Sequence, residues 1–235
     1  MIVRQTADAF QLITQPDHAA LAAAIMEHSV ALADHPRRAS ILFAVAEHDN
    51  GWSEPDAAPL IDPATGVPLD FISAPNDVRQ GVWPRGVARL ADDPWAAALV
   101  AQHAIVIFNR YRSEPAWTQF FVEMETMRRE MVQASELLLP ELLADYWFLG
   151  LGDVISLTFC NGWTDVQEFD PWSVHLTGSQ VSVWPTLFEG AAIPIAIEAQ
   201  EIPKRHYRDE DELREARAAS HITTLRGVIS ATTAR

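Results

Sequence analysis

Apolar residues recur at helical spacing along most of the first two-thirds of the chain. Beyond Asp17, a residue suited to an N-cap, Leu21, Ala22, Ile25 and Ser29 share one face with His18, which predicts a helix over about 17–34. A second helix is expected over about 37–49. There Ile41 and Val45 lead to His48, and Leu42 and Val45 lead to Asp49, so a polar doublet ends an apolar stripe. Residues 50–85 break the pattern with nine Gly and Pro residues and read as an ordered loop, a lid or wall pinned by Trp52, Phe71 and Trp83.

Asp92-Asp93-Pro94 is a helix start signal, and the segment to Tyr111 is nearly all apolar, with His103 set between Leu99 and Val106. An amphipathic helix is expected over 115–137, followed by helices over about 140–149 and 153–161. Residues 2–15 suit a short strand or an extended arm. After Trp163 the period shortens, and 175–177, 181–184, 193–197 and 221–225 read as strands around a helix capped by Asp209 and Glu212. The expected fold is therefore mainly α, a helical domain over 1–162 with its ordered loop, followed by a small β-rich α+β module over 163–235.

Composition narrows the partners. The 235 residues carry a formal net charge of -15, with 32 acidic against 17 basic side chains, which disfavours nucleic acid as a partner. A small phosphorylated ligand stays compatible, because a bound cation reverses the sign locally. The single cysteine, Cys160, lies in an apolar run and reads as a buried, inert thiol of a reducing compartment. No basic segment leading into an apolar one is visible at Met1–Gln5, and no continuous apolar run reaches the ~18 residues that span a bilayer. A cytoplasmic protein without membrane contact is expected.

The candidate chemistry lies in His18, His48-Asp49, His103 and Asp153, each expected on a buried helical face. Burying an imidazole or carboxylate without compensation costs several kcal/mol, so such groups share partners or a metal. Each has a plain alternative: a satisfied core histidine, an N-cap for Asp153, a turn-closing residue for Asp49. As a set they suit a divalent cation (Mn, Fe, Mg, Co, Ni or Zn) whose open position would hold an activated water.

The order His18 … His48-Asp49 … Asp153 resembles the HD-domain superfamily of metal-dependent phosphohydrolases. Met1-Ile2-Val3-Arg4, Gln15-Pro16-Asp17-His18-Ala19, His48-Asp49-Asn50-Gly51-Trp52 and Asp62-Pro63-Ala64-Thr65-Gly66 further resemble blocks of an uncharacterised bacterial family within or near that group. The resemblance implies an HD-like helical bundle, with His18, His48, Asp49 and Asp153 as metal ligands and His103 as a further one. It implies a catalytic role for His48 and Asp49, the latter orienting the attacking water or bridging metals. The pattern departs at Glu47 and Asn50, where a second His and a second Asp flank the doublet in the related family, and one metal is expected in place of two.

Glu47, Asn50, Trp52 and Arg85 are the expected substrate-binding residues, with Arg85 as the phosphate partner. Asp56, Asp62, Asp77 and Arg79 are further candidates for the pocket edge, with Trp52 or Trp83 as a stacking surface. The expected activity is hydrolysis of a small phosphate ester or nucleotide. Alternatives are an iron-dependent oxygenase on the same site, and a non-catalytic binding or regulatory protein on a decayed one. The absence of a glycine-rich phosphate loop excludes P-loop kinase or ATPase chemistry. The β-rich module is open to two roles, packing on the helical core or pairing subunits of a homodimer through a sheet edge.

Overall fold

The computed structural model of the protein describes residues 1–189 and 192–231. Its helices begin with α1 (Gln15–Met26) and α2 (Arg38–Glu47), then α3 (Ser53–Ala57) and α4 (Asn76–Ala88). They continue with α5 (Pro94–Ile107), α6 (Thr118–Ala134), α7 (Leu139–Asn161) and α8 (Glu210–Ala218). Strands β1 (Ile2–Gln5) and β2 (Ala9–Ile13) come first, and β3 (Gln167–Phe169), β4 (Trp172–Thr177), β5 (Gln180–Trp184), β6 (Ile193–Pro203) and β7 (His221–Ala231) follow the helices.

All seven strands form one curled sheet in the order β1-β2-β6-β7-β5-β4-β3, with β5 and β7 parallel and the other neighbours antiparallel. The expected mainly α, HD-like bundle is thereby corrected: half the chain is helical, but the helices pack on a full mixed sheet, which makes the fold α/β. The reason lies at both ends of the chain. Residues 2–13 fold back as a hairpin whose second strand pairs with β6, and β6 and β7 each run 11 residues, far beyond the short segments the pattern suggested. Along β6, Ile193, Ile195, Ile197 and Ala199 alternate inward onto the helices.

Two apolar cores meet along α7. Its first half, through Leu142, Tyr146 and Leu149, joins the helical core built around α5, and its second half, through Leu151, Ile155 and Phe159, joins the core under the sheet. The helix is continuous where two were expected. Gly150 and Gly152 lie between the two expected helices, and the second permits close approach: a Cβ on Gly152 would sit 2.8 Å from Met26 and 3.3 Å from Val45. This helix is long and apolar enough to cross a membrane, yet 72% of its apolar stretch is inside the fold, where a core helix belongs. Cys160 is buried near its end, and burial raises its thiol pKa, consistent with an inert side chain.

The region expected as loop, 50–85, contains α3 and most of α4. Pro84 removes one helical donor, but Val82, Trp83 and Val87 bury against α5 and hold the helix. Tertiary burial here outweighs the local breakers.

Candidate metal centre

Four helices deliver the expected ligands to one point. His18 sits in the first turn of α1, which begins at Thr14, whose hydroxyl accepts from the Asp17 N–H; the cap is therefore three residues earlier than expected. His48 and Asp49 follow α2 directly, His103 lies in the buried centre of α5, and Asp153 lies in the interior of α7 and not at an N-cap. All five are buried, with Asp153 the most accessible at 7%.

Their ligating atoms form two overlapping groups, His18–His48–Asp49 and His48–His103–Asp153, that could hold a metal ion. His18 Nε2 is 2.8 Å from Asp49 Oδ2 and 3.9 Å from Asp153 Oδ1. His48 Nε2 is 3.6 Å from Asp49 Oδ2 and 3.4 Å from Asp153 Oδ1, and His103 Nε2 is 3.5 Å from Asp153 Oδ2. Ligands at about 2.1 Å from a metal stand about 3.0 Å apart at right angles and about 3.4 Å apart in a tetrahedron, so these separations suit coordination.

The outer contacts orient the rings. Ser156 donates its hydroxyl to the Asp153 carbonyl at 3.1 Å, so its oxygen accepts from His18 Nδ1 at 2.8 Å. His48 Nδ1–H donates to the Val45 carbonyl at 2.8 Å. His103 Nδ1 meets the Tyr146 hydroxyl at 3.1 Å. Each imidazole is thus held by Nδ1 and turns Nε2 inward, the arrangement that partners around metal-bound histidines produce. His48 Nε2 is buried with no hydrogen-bond partner among the described residues, although carboxylates lie on two sides of it.

The charge balance asks for a cation. Burial lowers the pKa of His48, but the charges of Asp49 and then Asp153 outweigh this and raise it to about 9. Burial lowers His103 to about 4, so its ring is neutral. Asp153 is lowered to about 2: burial opposes this, but the histidines around it prevail. Without a metal, a proton on His48 offsets part of the carboxylate charge, and a divalent ion taking His48 as a ligand would displace it. Metal affinity should therefore rise with pH by roughly tenfold per unit below about 9 and level off above it. At about 1,000 times its Kd a metal adds about 4 kcal/mol, which should raise the melting temperature by roughly 8–16 °C. Thermal melts with Mn2+ after chelator treatment, at pH 6, 7 and 8, check both; a shift that shrinks as pH rises would contradict the ligand assignment.

Above the centre lies a cavity of about 200 Å3. Asp49, Asp153 and His103 reach it from below, Trp52, Phe71, Trp83, Phe108 and Trp163 wall it, and Arg79 and Arg110 stand at its edge. Of the expected substrate residues, Trp52 faces this cavity. Arg85 does not: it donates to the Gly51 carbonyl at 2.6 Å and pairs with Glu54 at 3.1 Å, so its role is to hold the turn after the doublet. Arg89 does the same for the Asn50 carbonyl at 2.5 Å. Glu47 is half-buried and lines no part of the cavity, and Asn50 packs its Oδ1 toward Gly86. Asp56 is buried under the Gln15 N–H at 2.6 Å, and Asp62 caps its own turn through Ala64 and Thr65. Ser156 and Tyr146, which orient two ligands, and Arg110 went unread. Ser156 alone had a visible signal, one turn after Asp153 in an otherwise apolar helix.

The fold and the centre together describe an α/β protein with a buried His/Asp cluster that could hold a metal ion, beneath an aromatic pocket. Residues 1–204 match the model of a family described as "Protein of unknown function (DUF3891)", and the chain belongs to that family. No curated protein and no solved structure matches it.

Proposed function

We propose that the protein is a metal-dependent hydrolase acting on a small phosphorylated molecule, as its resemblance to the HD-domain phosphohydrolases implies. The observation that carries this reading is the convergence of five potential ligand residues, three of which, Asp49, His103 and Asp153, line a pocket. His18, His48, Asp49, His103 and Asp153 would hold the ion. A divalent metal there supplies a polarised phosphoryl oxygen and a coordinated water with a pKa near neutrality.

The chain's own residues do the rest. The Asp49 carboxylate, at the pocket floor, is placed to accept the proton of the attacking water. Trp52, Trp83 and Phe71 exclude bulk water and offer faces on which an aromatic leaving group stacks. Three imidazoles favour Mn, Fe, Co, Ni or Zn over Mg. His48 is common to both ligand groups, and one nitrogen lone pair serves one ion, which supports a single metal.

A second reading, an iron site that uses dioxygen, draws support from the three imidazoles and the apolar walls. Protein purified without chelator, stripped, and reloaded with each ion in turn separates the two in a screen of phosphate esters and oxygen uptake. Turnover of an ester by the reloaded protein and its loss in Asp153→Ala are expected. Iron-dependent oxygen uptake without ester turnover would favour the oxygenase. Absence of stoichiometric metal after reloading would defeat both and leave a binding protein.

A further inference from the structure

We propose that Arg79 and Arg110 form a clamp for a second anionic group of the substrate, separate from the group at the metal centre; this rests on reading that centre as the reacting site. The substrate is then an elongated molecule, with its reacting phosphate at the floor, an apolar or aromatic middle, and a carboxylate or phosphate at the mouth.

The pocket has depth, and its lining steps outward along three helices. On α5, His103 at 3% exposure is followed one turn later by Ile107 at 37%, and then by Arg110. On α7, Asp153 is followed one turn later by Leu157. On α4, which runs the other way, Trp83 packs on His103 with ring centroids 5.7 Å apart, and Arg79 lies one turn before it. The middle of the shaft is therefore hydrocarbon and aromatic, with charge at both ends.

The two guanidinium groups meet over one ring at the outer end. Arg79 Cζ lies 5.4 Å from the Tyr111 ring centroid and Arg110 Cζ lies 4.8 Å from it. Arg79 also donates to the Tyr111 hydroxyl at 3.4 Å and to Asn76 Oδ1 at 2.5 Å. The Arg79 hydrogen bond, aided by the charge of Arg110, holds the Tyr111 phenol below its ordinary pKa, a sign of locally positive potential. Neither arginine has a carboxylate partner among the described residues, and Arg79 Nε is buried without any partner. Two cations at one ring, both lining the pocket and neither neutralised by a carboxylate of the described residues, suit an anion.

One phosphate cannot serve both ends. With a metal–oxygen bond of about 2.1 Å and a guanidinium hydrogen bond of about 2.8 Å, it bridges roughly 7 Å at most. The four residues from His103 to Ile107, where α5 ends, cover about 6 Å of helical rise, and Arg110 lies three residues past that end with its head against the Tyr111 ring.

The test compares two non-hydrolysable probes by calorimetric titration of the Mn-loaded protein: benzylphosphonate, with one anionic end, and 4-carboxybenzylphosphonate, with two. The carboxylated probe is expected to bind at least about tenfold more tightly, the scale of charge-assisted hydrogen bonds. Arg79→Gln/Arg110→Gln should remove that advantage and leave the Kd of benzylphosphonate within about threefold, because only the outer end is touched. Arg110→Gln alone, at an exposed position, should remove part of it and guards against a folding defect at Arg79. Equal affinities in the unaltered protein, no binding of the carboxylated probe, or equal weakening of both probes by the double substitution would each overturn the clamp. Repeating the titration on chelated protein separates the two readings. Both probes should weaken by the same factor with their ratio kept; if chelation changes neither Kd and the ratio persists, the clamp stands and the metal reading falls.

Discussion

Asp49→Ala is expected to cost the protein its metal, with affinity for Mn or Zn falling by about 100-fold or more, since even outer-shell partners of metal ligands are worth 10–100-fold. Asp49 Oδ2 is the atom nearest to His18 Nε2, at 2.8 Å, and it also faces His48 Nε2 at 3.6 Å. Removing it leaves Asp153 as the one carboxylate in either ligand group. The divalent ion then faces three imidazoles and a single negative charge, and two rings lose the group that balances them. Elemental analysis after dialysis, with calorimetric titration of the stripped variant, reads the effect. A variant that keeps one equivalent of metal at unchanged Kd would show that the centre lies elsewhere. Asp49→Asn, which keeps the shape but not the charge, should behave almost as badly, and that separates loss of charge from loss of packing.

A methyl group at Gly51 should be nearly as damaging as loss of a ligand. The turn after His48-Asp49 lies directly on α4, and a Cβ at Gly51 would stand 2.0 Å from the Val82 carbonyl oxygen and 3.2 Å from the Gly86 nitrogen. Both obstacles are backbone of a packed helix, so no side-chain rotation relieves the clash. Gly51→Ala is expected to cost about 3 kcal/mol or more, lowering the melting temperature by roughly 6–12 °C for a chain of this size. Metal affinity should fall with it, because the displaced turn carries Asp49. Gly81→Ala on the same helix is the control: nothing lies within 4 Å of its Cβ, and alanine in a helix is favoured over glycine by about 0.5–1 kcal/mol. A Gly51→Ala protein that melts with the unaltered one would refute this account of how the doublet is placed.

The centre was more legible in the sequence than the fold was. His18, His48, Asp49, His103 and Asp153 each interrupt an apolar helical stripe, a pattern with a local signature, and all five reach one point. The fold misled where local patterns compete with distant pairing. Residues 2–13 look like an arm until β6, nearly two hundred residues later, supplies the partner for β2. Helix α4 hides behind Gly81, Pro84 and Gly86, because its stability comes from Val82, Trp83 and Val87 against α5 and not from propensity. Arg85 misled for a related reason: a guanidinium's bidentate fit to phosphate suggested a substrate partner, but the nearer unmet need was the Gly51 carbonyl.

By itself, the sequence determined which polar residues are buried among the helices, since polar groups on apolar helix faces show in the spacing of the chain and must find compensation once buried. It also determined most of the helices around them, whose periodicity is local. Only the tertiary structure decided that the strands make one sheet, that Arg79 and Arg110 meet over Tyr111, and that three imidazoles turn their Nε2 atoms toward two carboxylates. These depend on contacts between residues far apart in the chain, such as His18 with Ser156 and His103 with Tyr146. Such pairings are set by packing against shared cores, and no window of neighbouring residues records them.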